Sequence, residues 1–272
     1  MHQVFAPGRD YGTVLKRKET AGLLVSEVVY RPDVTISRHA HTSAHFCLVL
    51  DGAYVDIVDN RARLCRPATV LFHPAGRPHS NVLLNSVVRD LTIEIRQEWF
   101  RHFDLEASGL ADPGEMPAPF GVETANRILR ELARPDEVSG LALEALMLEL
   151  FVKTSRRRSA LDRLPCWLKQ AKDLLTQAFG SSVTIRHIAE RVGVHPVHLA
   201  AEFKRHYGCT VGAFVRHLRV MSACYQLTRS PKPLKEIAVT AGFFDQSHFT
   251  RTFKAMMGVT PAQFRRCAAP LH

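Results

Sequence analysis

The sequence predicts an α+β chain of more than one domain: an N-terminal β-barrel, a helical segment, and a C-terminal all-α unit. Three observations predict it. About the first hundred residues are short β-branched runs separated by turn residues. Beyond Pro113–Pro119 the apolar residues fall at helical spacing, and the whole net charge lies in the last 108 residues. A length of 272 residues exceeds the roughly 150 expected of one domain. With 46% hydrophobic and 23% charged residues the chain can bury ordinary cores, which excludes disorder. No apolar run reaches the roughly 18–20 residues of a membrane span, and the opening MHQVFAPGRD has no leader-like apolar stretch. The six cysteines form no CxxC pair, which argues against a structural zinc finger, an iron–sulfur site and a disulfide framework. A cytoplasmic location is expected.

The strand signals come first. Leu23–Tyr30, Phe46–Leu50, Tyr54–Val58, Thr69–His73 and Val87–Ile95 are β-rich runs, with Asp51-Gly52, Asp59-Asn60 and Pro74-Ala75-Gly76 as turns. Strands this short and this regularly spaced predict a sandwich or barrel over residues 1–115. Val122–Ala133 and Val138–Thr154 then carry a helical pattern that includes Leu141, Ala145, Leu148 and Phe151. These two helices are predicted to pack on the barrel or to pair with a second subunit, so residues 116–164 read as a dimerisation segment. Ser155–Pro165, with its three arginines, reads as an exposed linker. The acidic residues around Asp104–Glu115 suggest no chemistry.

Residues 165–272 hold 15 Lys+Arg and 5 Asp+Glu, a net +10, which leaves 21 of each sign and no net charge in residues 1–164. A basic unit joined to a neutral one predicts a polyanion-binding half and a half with another task. The basic half also repeats itself. Ile188-Ala189-x3-Gly193 precedes Leu199, Phe203-Lys204-x3-Gly208-x-Thr210-x3-Phe214; Ile237-Ala238-x3-Gly242 precedes Phe249, Phe253-Lys254-x3-Gly258-x-Thr260-x3-Phe264. Each copy has a short helix ending, a glycine turn, and a second helix with apolar anchors four residues apart, the pattern of a helix–turn–helix. Anchoring one face leaves the other free for a DNA major groove. The second copy's free face holds Gln246, Ser247, Thr250, Arg251 and Lys254; Gln can pair with adenine and Arg with guanine. The first copy's holds Val197, His198, Ala200, Ala201 and Lys204, of which Val and Ala offer a base only apolar contact. His195 stands where an N-cap belongs and is a weaker choice than Ser or Asp.

Residues ~166–267 resemble the DNA-binding domain of AraC/XylS-family transcription regulators. The resemblance rests on Ile237-Ala238-x3-Gly242-Phe243-x-Asp245-Gln246-Ser247-His248-Phe249-x-Arg251-x-Phe253-Lys254, then Gly258-x-Thr260-Pro261-x2-Phe264-Arg265. It implies two helix–turn–helix units joined by a long helix near Thr210–Thr228, with recognition helices in successive major grooves of double-stranded DNA. It assigns phosphate contacts to Lys204, Arg205, Arg219, Lys235 and Lys254. It also implies contact with RNA polymerase and activation as the commoner mode of regulation, while a homodimer is suggested only by the leucine-rich helices.

In the neutral half, Arg38-His39-Ala40-His41-x3-His45 is followed by Gly52, and Pro74-Ala75-Gly76-x2-His79 lies downstream. His39 and His41 would project from one face of a strand, a natural pair of metal ligands. Imidazoles suit Zn, Fe, Cu or Ni. His41 and His45 do not form HExxH, because the glutamate base is missing. The two motifs resemble those of cupin barrels, with His45 where that family usually has Glu. This implies a pocket for a metal or a small organic effector lined by His39, His41, His45 and His79. His73, just before Pro74, is expected to point away from it, and Cys47 and Cys65 are read as small core residues. The function expected is a non-enzymatic transcription regulator controlled by an effector or metal in the barrel, with the N-terminal arm, residues 1–12, as part of the switch by family analogy. The competing expectation is a metal-dependent dioxygenase or isomerase fused to a DNA-binding domain; it leaves the basic repeat unexplained.

Overall fold

The computed structural model describes residues 2–32, 34–59, 61–67, 69–84, 86–105 and 118–268. The expected boundary at 115/116 and most of the acidic stretch before it lie outside these residues. The chain divides into two compact units, the first chiefly residues 1–161 and the second chiefly residues 162–269.

The first unit holds ten strands: β1 (Gln3–Phe5), β2 (Thr13–Thr20), β3 (Leu23–Tyr30), β4 (Ile36–His41), β5 (Ala44–Asp51), β6 (Tyr54–Val58), β7 (Arg61–Cys65), β8 (Val70–His73), β9 (His79–Leu83) and β10 (Val88–Ile95). They make two five-stranded sheets, ordered β1-β4-β9-β6-β7 and β2-β3-β10-β5-β8. Only the arm strand β1 is paired in parallel among the registered strand pairs of the described residues, against β4. Inner-face residues of both sheets, among them Ile36, Tyr54 and Leu83 from one and Val49, Leu71 and Val88 from the other, share a core. Gly52 turns β5 into β6 at φ +76°, where a Cβ would lie 2.3 Å from the Val87 carbonyl oxygen. Only glycine meets both demands.

Side chains alternate across the second sheet as strand geometry requires. Ala44, Phe46 and Leu48 of β5, Val70 and Phe72 of β8, and Leu91, Ile93 and Ile95 of β10 form its outer face. Three helices cover that face: α1 (Gln97–His102), α2 (Ala118–Ala133) and α3 (Ser139–Asp162). Trp99, Phe100, Ala125, Ile128, Leu143, Leu146, Met147 and Leu150 join those strand residues in one core. The helices of the 116–164 segment therefore pack on the barrel, one of the two placements expected for them. The expected linker at 155–165 is corrected, since α3 continues to Asp162.

The second unit is all helical: α4 (Cys166–Ala178), α5 (Ile185–Val192), α6 (Pro196–Tyr207), α7 (Val211–Arg229), α8 (Leu234–Thr240), α9 (Gln246–Met257) and α10 (Pro261–Ala268). Thr184, Thr210 and Asp245 cap α5, α7 and α9 through their side-chain oxygens, each satisfying a backbone N–H that the helix leaves unpaired. His195 caps α6 in the same way, its Nδ1 accepting from the Val197 N–H at 3.3 Å. Ile188 and Ala189 lie within α5 rather than at its end; the helix stops at Gly193, left-handed at φ +72°.

Candidate ligand pocket and nucleic-acid interface

The inner faces of the two sheets enclose a cavity of about 30 Å³ whose lining includes five histidines: His39, His41, His45, His73 and His79. Ring centroids around the set lie 5.0 Å apart for His39–His41, 4.4 Å for His41–His45, 4.9 Å for His45–His73, 4.1 Å for His73–His79 and 4.3 Å for His79–His39. Backbone register explains the grouping. His39 is the cross-strand partner of His79, and His45 that of His73. A register shift between Ile36 and His39 lets both face inward despite their odd spacing. His73 corrects an expectation: it is in phase with inward Leu71, not with outward Val70 and Phe72. Strand period outranks the proline that follows it.

Burial governs the protonation of this cluster. It lowers His39, lowers His41 to about 4 with His39 adding to the effect, and drives His45 and His79 well below the usual imidazole range, with His73 as their next largest influence. These four rings are neutral at pH 7, the form that binds metals. The Ser37 carbonyl accepts a hydrogen bond from His39 Nδ1 at 2.8 Å, so Nε2 keeps its lone pair. His41 Nδ1 is buried without a hydrogen-bond partner. An orphaned nitrogen within a neutral imidazole set fits a transition metal. Two triads, His39/His41/His79 and His45/His73/His79, have nitrogens within 4.8 Å of one another. The opposite part of the lining is acidic and phenolic. Burial raises Asp90 to about 8, partly offset by a hydrogen bond from Tyr54, so it is largely protonated at neutral pH.

The N-terminal arm covers this site. β1 sets Gln3 beside His39 and Phe5 beside His41, and the Thr42 N–H donates to the Phe5 carbonyl at 2.9 Å. The Phe5 ring lies 5.1 Å from His39, and Tyr11 lies 5.0 Å from Phe5 and 5.1 Å from His39. Gly8 N–H donates to Glu94 Oε1 at 2.7 Å, and Arg17 Nη2 donates to the Gly8 carbonyl at 2.6 Å. Reading residues singly missed Phe5, Tyr11 and His73; a two-residue periodicity check on Val70–His73 would have found the last.

In the second unit both recognition helices are anchored as the repeat predicts. Leu199, Phe203, Phe249 and Phe253 are fully buried. Gln246, Ser247, Arg251, Lys254 and Lys235 are exposed, and Thr250 is half-buried. Val197 (69% exposed), Ala200, Ala201 and Lys204 of α6 line a groove of about 780 Å³ with Arg216 and Arg219 of α7 and His248 of α9. His198 is exposed but lies against Trp167 of α4, with ring centroids 5.2 Å apart. Arg205 pairs with Glu202 at 3.5 Å. Arg219 donates from Nε to the Phe179 carbonyl at 2.7 Å and from Nη2 to the Ser181 carbonyl at 2.8 Å. It ties α7 to the α4–α5 turn, a structural task the sequence did not reveal. The same turn receives the second repeat: a Cβ on Gly242, φ +86°, would lie 2.8 Å from the Phe179 and Gly180 carbonyl oxygens.

Two outcomes follow. Gly242→Ala should destabilise the helical unit by more than about 1 kcal/mol and weaken binding to DNA. Gly258→Ala, at φ +77° but with nothing near the added carbon, should cost less; equal thermal shifts would remove the packing argument. In metal-free protein, His41 has a folded pKa near 4 against about 6.5 unfolded. Its neutral form therefore contributes stability that is complete above pH 6.5 and is lost as pH falls toward 4, at up to about 1.4 kcal/mol per pH unit. Urea unfolding of His41→Gln should show a correspondingly shallower loss between pH 6.5 and 4 than the parent chain.

Residues 188–267 match the family model described as a helix-turn-helix domain. The chain is 24% identical over 276 residues to the HTH-type transcriptional activator RhaR of Klebsiella pneumoniae, covering 94% of this chain and 97% of that protein. Among solved structures, the C-terminal domain of AraT, a response regulator from Geobacillus stearothermophilus, is 30% identical over 38% of this chain and 87% of its own, with a TM-score of 0.37. ToxT from Vibrio cholerae is 13% identical over 90% of this chain and 98% of its own, with a TM-score of 0.41. Residues 188–267 thus form a helix–turn–helix domain, and over nearly its whole length the chain is similar to a transcriptional activator.

Proposed function

We propose that the chain is a sequence-specific activator of the cytoplasm that binds double-stranded DNA as a homodimer and responds to a small effector or metal in its barrel. The observation that carries this reading is the pair of recognition helices, each pinned by two buried apolar anchors with its other face outward. Activation is supported by the printed function of the RhaR relative, and RNA polymerase as a partner by the family resemblance. The two helices divide the reading. Gln246, Ser247, Thr250 and Arg251 supply hydrogen-bonding groups for base edges, while Val197, Ala200 and Ala201 suit thymine methyls. Lys204, Lys235 and Lys254 are placed for phosphate, which positions without specifying. Arg205 and Arg219 hold the same role more weakly, since each already has a partner.

The dimer reading is supported by a second apolar stripe on α3. The face that includes Leu143, Leu146 and Leu150 is buried in the barrel unit. Leu141 (69% exposed), Ala145 and Val152 (42% exposed), with half-buried Leu148, which also packs against the barrel core, form another face, at the 4-3-4 spacing of a coiled-coil seam. Regulation requires that the ligand favour one arrangement of the protein by differential affinity. The arm strand, hydrogen-bonded to the histidine-bearing β4, is the segment best placed to feel pocket occupancy.

On a selected operator, Arg251→Ala should relax specificity at one base position at a cost of about 1–3 kcal/mol. Lys204→Ala should weaken all sequences alike and reduce the salt slope by about one unit. Competition binding at several salt concentrations separates the two, and uniform loss for Arg251→Ala would refute its base contact. Leu141→Glu should shift a dimer to monomer in sedimentation velocity; an unchanged dimer would place the interface elsewhere.

A further inference from the structure

We infer that the barrel holds one divalent late transition-metal ion on His45, His73 and His79, with His73, which belongs to neither sequence motif, as a ligand. The inference rests on the ligand-controlled reading above only for its consequence at DNA, not for the site itself. His45 and His73 are directly opposed on neighbouring strands β5 and β8, and His79 arrives from the facing sheet. Ligand nitrogens of the three lie within 4.8 Å of one another, and all three side chains are buried. The ligands thus come from both walls of the barrel, so an ion would join the sheets rather than decorate one.

Size and chemistry select the occupant. The cavity of about 30 Å³ accommodates an ion and a water or two, not an organic molecule needing several hundred Å³. Imidazole donors favour Zn²⁺, Ni²⁺ or Cu²⁺ over Mg²⁺ and Ca²⁺. Buried Asp56 carries a carboxylate oxygen 3.9 Å from His73 Nε2, within a short ring movement of the hydrogen bond by which an outer-shell carboxylate orients a ligating histidine. His79 is common to both triads, so one filled site excludes the other and the stoichiometry is one. The triad of His45, His73 and His79 has the carboxylate beside it. His41, with its orphaned Nδ1 and its ring 4.4 Å from that of His45, is placed to complete a fourth position. Four protein nitrogens leave no open position for a substrate, the arrangement of a closed site rather than a catalytic one.

The test uses the untagged full chain, stripped with a chelator and titrated with Zn²⁺, Ni²⁺ and Co²⁺ against a chromophoric competitor. One equivalent should bind. His73→Ala should lose more affinity than His39→Ala, and more than the roughly 10–100-fold that an outer-shell change such as Asp56→Asn brings. Because His73→Ala could misfold, pulsed EPR of the Cu²⁺-loaded parent chain counts bound imidazoles independently, and at least three are expected. Absence of uptake, fewer than three imidazoles, or a folded His73→Ala that binds like the parent would each overturn the inference. Operator affinity with and without metal separates the two readings. Metal binding with no change at DNA leaves this site standing and removes metal as the controlling ligand. An organic compound that shifts DNA binding while metal does not bind does the reverse.

Discussion

The two-residue period of the second sheet is the constraint on which the barrel unit depends. Along β5, Ala44, Phe46 and Leu48 face the helices while His45 and Cys47 face the cavity; β8 and β10 follow the same rule. A slip of one residue would exchange the two sets, putting imidazoles under α2 and α3 and phenylalanines in the pocket. Apolar burial beneath the helices therefore fixes the strand register, and the register aims the histidines. The core and the site are two faces of one ladder, so neither is adjustable alone. This is also why the helical segment belongs to the barrel: without it the outer face, from Leu23 to Ile95, would be open to water.

How much of this was legible depended on whether a signal was local. β3 and β6 match their apolar runs residue for residue, and β5, β8 and β10 do so within two residues at either end, because their composition states their burial. β2 gave no such signal: Thr13–Thr20 lies at the edge of its sheet and is rich in charge. Charge on an edge strand is a common defence against unwanted pairing and hides the strand from a search for hydrophobic runs. β4 was read only through its histidines, because its register shift breaks the apolar alternation. The repeat in the helical unit was legible because each copy carries its own anchors and glycine.

The site divides along the same line. Four histidines stand in recognisable motifs, and the structure gathers them. His73 was misjudged from its neighbour Pro74, a local cue, when its orientation is set by pairing with His45 across the sheet. Long-range contacts were invisible for a similar reason. Arg219 reaches a turn 40 residues away, and Gly242 meets that turn from the second repeat. Nothing in the spacing of either residue announces a partner. Together they make the Phe179–Ser181 turn a junction between the long helix and both helix–turn–helix copies. A recognition helix is only as well aimed as its support, so this junction matters to DNA binding although none of its contacts reads a base.

The two units solve opposite electrostatic problems. The helical unit carries all of the net positive charge and keeps it exposed, where water solvates it until phosphate replaces the water. The barrel unit is neutral overall and buries its titratable groups. Desolvation strips protons from four imidazoles and returns one to Asp90, which lowers the charge that the interior must hold. That cost is met when the chain folds, under the apolar sheet and the arm. An incoming cation then finds lone pairs already bare and has no protons to expel from these four rings at pH 7. A preorganised neutral site of this kind gains most from a ligand that brings its own charge, and that gain is the differential affinity a switch requires.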